Sequence, residues 1–216
     1  MRVYQLMSAQ HAIDNIRKRR LKVSFLSDMN DPFELLGGSL ARIEHRRAFQ
    51  QWKAHMNRIC RVLCFSRHWH NPVMWSHYAD KHRGVCLGFD VPDDCLLGIS
   101  YKTKRLEVQL EKHLQNDGTV QPELSRQLLT TKFLDWHYED EVRMFLKPDD
   151  VYEELGLHFY AFTQYLTLRE VILGPRSALS LGEITAGLQA EDASSTVRST
   201  RLAFKSFRVI ETSAKP

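Results

Sequence analysis

The most chemically suggestive residues of this 216-residue chain are two carboxylates and a guanidinium at alternate positions, Glu139, Glu141 and Arg143. If the segment is extended, alternation places all three, together with His137, on one face of a strand. Facing a cleft, a carboxylate in such a row can stabilise a developing cation or accept a proton, while the guanidinium holds its charge or binds a phosphate. Facing solvent, the same row is a salt-bridged strand surface. The pattern leaves both interpretations open.

Cysteine and histidine side chains are concentrated in one stretch of the chain. They are Cys60, Cys64, His68, His70, His77, His82 and Cys86. The spacing Cys-x3-Cys-x3-His-x-His differs from the usual zinc-binding patterns, and Cys64 lies in an apolar run typical of a buried strand. Nothing marks an activated thiolate, and Ser66 lacks the Gly-x-Ser-x-Gly signature of a hydrolase nucleophile. We therefore expect no metal and neither a cysteine nor a serine nucleophile.

Positive charge is concentrated near the N-terminus. Residues 1–60 hold eleven Lys and Arg against five Asp and Glu, whereas residues 111–160 hold five against eleven, and the net charge is +4. The densest run is Arg17, Lys18, Arg19 and Arg20, followed by Lys22. Such a run can contact the phosphates of a nucleic acid or of a small anion, or it can be a solvated helix end. Nucleic acid is therefore a predicted partner.

The elements that must position these residues follow from hydrophobic periodicity and turn signals. Strands are predicted at residues 3–6, 21–26, 61–66, 85–90, 99–103, 170–173 and 201–210, helices at 9–19, 42–57, 71–81, 122–134 and 181–188, and a helix end running into a strand at 136–146. Several strands are too close in sequence for helical crossovers, which favours an α+β fold with a mixed, mainly antiparallel sheet flanked by helices. No Rossmann or Walker phosphate loop occurs.

Length and composition place the chain among ordinary globular proteins. With 43% hydrophobic and 26% charged residues, 216 residues suffice for one domain, predicted to span residues 1–216. No run approaches ~20 apolar residues, and the residues after Met1 form no apolar signal segment. We expect no membrane partner and a cytoplasmic protein.

Four sequence blocks occur in a fixed order. They are residues 30–34 (NDPFE), 64–66 (CFS), 74–89 (MWSHYADKHRGVCLGF) and 136–143 (WHYEDEVR). This set resembles a large bacterial family catalogued as a domain of unknown function, number 2971. The resemblance covers most of the chain, from residue 3 to about residue 174.

More distantly, the order and type of segments resemble the ADP-ribosyltransferase fold, especially its DNA-modifying toxin branch. The resemblance implies NAD as substrate, with Tyr4 on the first NAD-contacting strand and Phe65 and Ser66 on the second. It places the catalytic carboxylate, Glu139 or Glu141, on a third strand. It further implies transfer of ADP-ribose to a nucleic acid or a protein, in a toxin or phage-defence system.

The chemistry of this hypothesis centres on the bond between nicotinamide and ribose. Its cleavage builds an oxocarbenium-like cation, which a carboxylate held against the ribose stabilises. Glu141 is the first choice for this role and Glu139 the second. Arg143 or the basic residues near the N-terminus would bind the pyrophosphate.

Other residues are assigned to NAD binding rather than to catalysis. Aromatic side chains such as Tyr4, Trp75 or Tyr78 would stack on nicotinamide, because flat rings favour such contacts. Asn30 and Asp31, from the first sequence block, complete the predicted NAD-binding set.

Two alternatives remain open at this point. In the first, five carboxylates gather around a divalent cation in a nuclease that docks nucleic acid on the basic N-terminal face: Asp31, Glu34, Asp80, Glu139 and Glu141. In the second, the protein is a non-catalytic nucleic-acid-binding module, and residues 30–34 form a purely structural turn with Phe33 packed inward.

Overall fold

The computed structural model describes residues 1–212. Within that range the strands are β1 Arg2–Met7, β2 Arg20–Lys22, β3 Arg61–Ser66, β4 Val85–Asp90, β5 Leu97–Gly98, β6 Ser100–Lys102, β7 Thr131–Phe133, β8 Glu141–Leu146, β9 Tyr152–Glu154, β10 Leu157–Ala161, β11 Thr167–Leu173, β12 Thr196–Leu202 and β13 Val209–Glu211. The α-helices are α1 Ala9–Lys18, α2 Ile43–Ile59, α3 Pro72–Tyr78, α4 Pro122–Leu129 and α5 Leu181–Gly187. Short 3-10 helices lie at Leu26–Asp28, Asp93–Cys95, Leu110–Lys112, Leu134–Glu139, Pro148–Asp150 and Ala190–Asp192.

Eight strands form one mixed sheet in the order β13-β12-β11-β4-β1-β3-β8-β5. All neighbours in it are antiparallel except β11 and β12. A smaller antiparallel sheet, β2-β10-β9, and a parallel pair, β6-β7, accompany it. Because strands from both ends of the described chain share the main sheet, residues 1–212 form a single domain. The predicted α+β class with a mixed, mainly antiparallel sheet is confirmed.

The main sheet opens between β1 and β3. β1 pairs with β4 along its full length, but it pairs with β3 only at Tyr4 and Ser66. The other half of β3 has a different neighbour on that side, because Ser24 bridges Val62. The two central strands therefore meet at one point and then separate, which leaves a gap in the middle of the sheet.

Helix α1 covers one face of the sheet. It begins after Ser8, whose hydroxyl accepts a hydrogen bond from the His11 N–H, as an N-cap residue does. Ala12 and Ile16 lie one turn apart and are buried in the core on that face. The helix ends at Lys18, and the following residue, Arg19, caps it in a left-handed conformation with φ 50°.

Helices α2 and α3 pack on the opposite face in two separate cores. The buried face of α2 carries Phe49 and Trp52, which share a core with Val62 of β3. Asn71 caps α3 and Pro72 opens it, which fixes the start of the helix. Trp75 of α3 is fully buried in the third core cluster.

Several predicted elements have different bounds in the structure. The predicted helix 122–134 ends at Leu129, and β7 follows it. The predicted strand 201–210 is wrong, because the chain turns back between β12 and β13, which pair as an antiparallel hairpin. Predicted strand 21–26 is limited to β2, and residues 26–28 form a 3-10 turn. Phe33 is exposed rather than packed inward, with 60% of its surface accessible.

Among residues 1–212, none of the helices combines the length and the apolar character that crossing a membrane requires.

Candidate functional site

A cavity of about 390 Å³ lies at the gap between β1 and β3. Its walls include Tyr4 and Gln5 from β1, Ser66 from β3 and Tyr78 from α3. The Gln5 side-chain amide donates a hydrogen bond to the Cys64 carbonyl oxygen over 3.3 Å, across the gap. The volume is within the range of ~300–1,000 Å³ that small-molecule sites occupy.

Three predicted site residues form a row across three adjacent strands. Tyr4 of β1 lies opposite Ser66 of β3, and Ser66 lies opposite Glu141 of β8. Paired residues of neighbouring strands point to the same face of a sheet. The register therefore brings together a phenol, a hydroxyl and a carboxylate from positions 4, 66 and 141, and all three line the cavity.

Five buried charged side chains stand at one end of the cavity and are called here the cavity charge cluster: Glu34, Lys132, Glu139, Glu141 and Arg143. The Lys132 Nζ atom is 2.5 Å from Glu139 Oε2 and 3.0 Å from Glu141 Oε2. The Arg143 guanidinium donates from Nε to Glu141 Oε1 over 2.7 Å and from Nη2 to Glu34 Oε1 over 2.5 Å. Three carboxylates thus share two cations.

The charges of this cluster fix each other's protonation. Burial opposes ionisation of Glu141, but Arg143 and Lys132 outweigh it and lower the pKa of this carboxyl to about 2. Burial likewise disfavours the Lys132 ammonium, yet the neighbouring carboxylates raise the pKa of Lys132 above its ordinary value. Burial raises the pKa of Glu34 despite its contact with Arg143. Lys132 is therefore a permanent cation at neutral pH, and Glu141 a permanent anion.

Glu139 reaches the cavity through a local turn of the backbone. The Leu134–Glu139 segment is a 3-10 helix, and Asp140 adopts a left-handed conformation with φ 43° before β8 begins. The predicted passage from a helix end into a strand over residues 136–146 is confirmed, and the row of alternate side chains on one strand face holds for Glu141 and Arg143 but does not extend back to Glu139. His137 does not join the carboxylates; it is exposed, and its Nδ1 lies 3.0 Å from the Leu134 carbonyl oxygen.

The second partner of Glu139 is a phenol. The Tyr78 hydroxyl donates to Glu139 Oε1, and Asn30 Nδ2 donates to the same Tyr78 oxygen over 2.9 Å. Burial and the hydrogen bond to Glu139 raise the pKa of Tyr78, so the phenol stays protonated and remains a donor. Tyr78 and Asn30, two residues of the predicted NAD-binding set, both line the cavity.

The opposite end of the cavity is formed by α1 and the smaller sheet. His11, Asp14 and Lys22 line it, together with Phe159 of β10. The cavity is therefore polar at both ends, with carboxylates dominant at the sheet gap and with an ammonium, an imidazole and the Asp14 carboxylate at the α1 end, where Lys18 and Arg20 offset the charge of Asp14.

Three predicted site residues lie outside the cavity wall. Trp75 is buried, and its indole N–H donates to the Trp69 carbonyl oxygen, so it packs in the core instead of stacking on a ligand. Asp31 accepts from the Phe33 N–H over 2.9 Å and stabilises the turn. Arg143 has no exposed surface, and each of its three nitrogen atoms donates to a protein group, so it holds Glu141 and does not reach a pyrophosphate in the cavity.

The predicted nucleic-acid-binding run is largely engaged with acidic side chains. Lys18 and Arg20 both pair with Glu154, and Arg19 pairs with the buried Asp192. Arg20 is itself buried. These contacts reduce the positive charge that the run presents to a polyanion.

The carboxylates proposed for a nuclease do not form one set of ligands. Asp80 is exposed and pairs with Arg83, and Asp31 caps a turn. Within residues 1–212, no three His, Cys, Asp or Glu side chains are arranged to hold a metal ion. Among Glu34, Glu139 and Glu141, the place of a shared cation is taken by the Lys132 ammonium.

Sequence reasoning misses Lys132 and gives Glu34 only a metal-binding role. Lys132 lies in β7, nine residues before Glu141, whereas the sequence predicts a helix there, in which a lysine beside Thr131 and Phe133 resembles any surface residue. Cys64 also lines the cavity, but burial raises its thiol pKa well above the ordinary value, so it is no nucleophile at neutral pH.

Comparison with known proteins gives one short match. Residues 74–98 match the model of a family described as Protein of unknown function (DUF2971). This stretch contains Tyr78 of the cavity and strand β4, and it supports the family resemblance of the third sequence block. No curated protein matches the chain. No solved structure matches it either.

Proposed function

We propose that the cavity binds NAD and that the protein cleaves the bond between nicotinamide and ribose, transferring ADP-ribose to an acceptor. The observation that carries this proposal is the row Tyr4, Ser66 and Glu141 on three adjacent strands beside an open cavity. The ADP-ribosyltransferase resemblance assigns these same three positions to the NAD site.

The contacts favour Glu139 over Glu141 as the carboxylate that stabilises the ribosyl cation. Glu141 accepts from Arg143 through both oxygens and from Lys132 as well, so two cations neutralise it. Glu139 has one cation, Lys132, and one neutral donor, Tyr78. Because an incompletely neutralised carboxylate exerts the stronger field on a nearby cation, Glu139 takes the leading role and Glu141 holds Lys132 in place.

The two ends of the cavity suit two parts of the substrate, the nicotinamide ring and the pyrophosphate. The cationic nicotinamide ring would lie at the sheet gap, where Tyr4 and Tyr78 supply aromatic faces beside the carboxylates. The pyrophosphate would lie toward α1, where Lys22 and His11 offer an ammonium and an imidazole N–H. This arrangement gives Lys22, rather than Arg143, the phosphate-binding role.

The reaction is a substitution at C1′ of the ribose. The bond from C1′ to the nicotinamide nitrogen breaks, its electron pair remains on the nitrogen, and neutral nicotinamide leaves. The nucleophilic atom of the acceptor forms the new bond to C1′, and its proton passes to the Glu139 carboxylate. Nothing in this step requires a metal ion, so the activity should persist in EDTA, whereas that of a magnesium-dependent nuclease should not.

Release of nicotinamide from NAD, measured by chromatography, tests the proposal. We expect release by the wild-type protein and a reduction of about 10² or more in the Glu139→Gln variant, since loss of one transition-state contact has that effect. Glu123→Gln is the matched control, because Glu123 is exposed on α4, outside the cavity wall. Equal rates for wild type and Glu139→Gln, or no release by the wild type, would refute the assignment.

The acceptor is proposed to be a nucleic acid, with Arg17 as a contact residue on the α1 side. Arg17 belongs to the basic run and is exposed, whereas Lys22 is assigned to the pyrophosphate. Labelling of single-stranded DNA, RNA and protein with radioactive NAD compares the acceptors directly. A label found only on protein would remove nucleic acid from the proposal.

A further inference from the structure

The turn at residues 30–34 is joined at both of its ends to the other members of the cavity charge cluster, at one end through Tyr78 and at the other directly. At one end, Asn30 donates to the Tyr78 hydroxyl, which in turn donates to Glu139. At the other end, Glu34 accepts from Arg143, which also binds Glu141. The turn itself is closed by local hydrogen bonds, from the Phe33 N–H to the Asp31 side chain and from the Glu34 N–H to the Asp31 carbonyl.

Glu34 is the most deeply buried carboxylate of the cluster, with 1% of its surface exposed, and it is not part of the cavity wall. Its Oε1 atom is 2.5 Å from Arg143 Nη2, and its Oε2 atom is 3.7 Å from Lys132 Nζ. Glu34 therefore attracts both cations of the cluster from a position outside the cavity wall.

Charge counting shows what this third carboxylate does. Without Glu34, two cations would face two carboxylates, and the cavity end of the cluster would be neutral. With an ionised Glu34, three carboxylates share two cations, which leaves one negative charge in excess. In a buried site such an excess acts strongly on a bound ligand, because little water screens it.

We propose that Glu34 is a positioning residue that makes the cavity selective for a cationic ring over a neutral one. This inference rests on the proposed function and names its specificity: the oxidised nicotinamide of NAD, which is a cation, is bound in preference to the neutral dihydronicotinamide of NADH. Glu34 acts by offsetting part of the positive charge of Arg143 and Lys132, so that these cations neutralise Glu139 and Glu141 less completely, and it touches no substrate atom.

The test is calorimetric titration of the full chain with NAD and with NADH. Wild-type protein should bind NAD about tenfold more tightly than NADH, because the two differ chiefly in the charge of the ring. Glu34→Gln should reduce this preference to about twofold or less, mainly through weaker NAD binding. Glu34→Asp keeps the charge and should retain part of the preference, and Glu123→Gln should retain all of it.

The outcomes separate the two proposals. If the wild type binds neither nucleotide, the proposed function fails and the inference fails with it. If the wild type binds NAD and NADH equally, only the inference is overturned. This result comes from the wild-type protein, so it does not depend on whether a variant folds. If Glu34→Gln weakens both ligands by the same factor, Glu34 has a purely structural role and the inference is also overturned.

Discussion

Two ionic clusters of this protein use the same residue types in different surroundings. The α1 ion-pair cluster consists of Asp14, Lys18, Arg20 and Glu154, and its two carboxylates keep 44% and 38% of their surface exposed. The three carboxylates of the cavity charge cluster keep at most 6%. Carboxylates and cations are equal in number in the first cluster, two against two, and unequal in the second, three against two.

The comparison shows that burial, and not the number of ion pairs, decides what a charged cluster can do. Water reaches Lys18 and both carboxylates of the α1 ion-pair cluster, although Arg20 is buried, so the contacts of Lys18 contribute little to stability. The cavity charge cluster is held out of water, where each charge must be satisfied by the others and any excess acts on whatever enters the cavity. Such a site costs folding energy and is typical of ligand binding or catalysis.

Removing the Arg143 guanidinium should give the largest difference in stability between substitutions in the two clusters. Arg143→Met leaves Glu34 and Glu141 without their guanidinium, and we expect a loss of about 3–5 kcal/mol in the free energy of unfolding. Urea unfolding followed by circular dichroism measures it. The matched substitution in the exposed cluster, Lys18→Met, should have a far smaller effect, and comparable losses in both variants would contradict the account.

Lowering the pH should destabilise the cavity charge cluster more than the α1 ion-pair cluster, but by less than the Arg143→Met substitution does. Because the pKa of Glu141 is lowered from 4.5 to about 2, its stabilising contribution is complete above about pH 4.5 and is lost as the pH falls toward 2. The shift corresponds to at most roughly 3 kcal/mol, and the raised pKa of Glu34 acts in the opposite direction. Urea unfolding at pH 5 and pH 2.5 in 1 M NaCl measures the net loss.

Glu154 provides the control for this pH effect, because its pKa is also about 2, through Arg20 and Lys18, although it is exposed. In 1 M NaCl its ion pairs are screened. Glu154→Gln should therefore lose the same stability between the two pH values as the wild type. A markedly smaller loss in Glu154→Gln would assign the acid sensitivity to the surface instead.

The smallest effect is expected from Lys18→Gln. This substitution removes the contacts of Lys18 with Asp14 and Glu154, both of which are partly exposed. The free energy of unfolding should change by little more than the error of the measurement at low salt and not at all in 1 M NaCl. A large, salt-independent loss would mean that this exposed cluster behaves like the buried one.

Local pattern predicted those parts of the fold and site that depend on neighbouring residues. Alternation along β8 places Glu141 and Arg143 on one face, and Ser8 and Pro72 mark helix starts that the structure contains. The hairpin between β12 and β13 was not predicted, because Phe204 and Phe207 occupy a turn without the usual Gly, Pro or Asn signals.

The rest of the site depends on contacts between distant segments. Lys132 and Glu34 join the cluster through tertiary contacts, including one between Glu34 and Arg143 across 109 residues. No local pattern distinguishes such residues from surface charges. Trp75 is the opposite case, a predicted site residue that lies in the core. The sequence could not exclude it, because an aromatic side chain can either stack on a ligand or pack in the core.

A crystal structure of the Glu139→Gln variant with NAD tests the central claim most directly, because the substitution slows turnover and keeps the substrate intact. We expect NAD in the gap between β1 and β3, with nicotinamide beside Tyr4 and Tyr78, the pyrophosphate near Lys22, and the ribose C1′ within about 4 Å of the side chain at position 139. NAD bound elsewhere, or no NAD at millimolar concentration, would contradict the account.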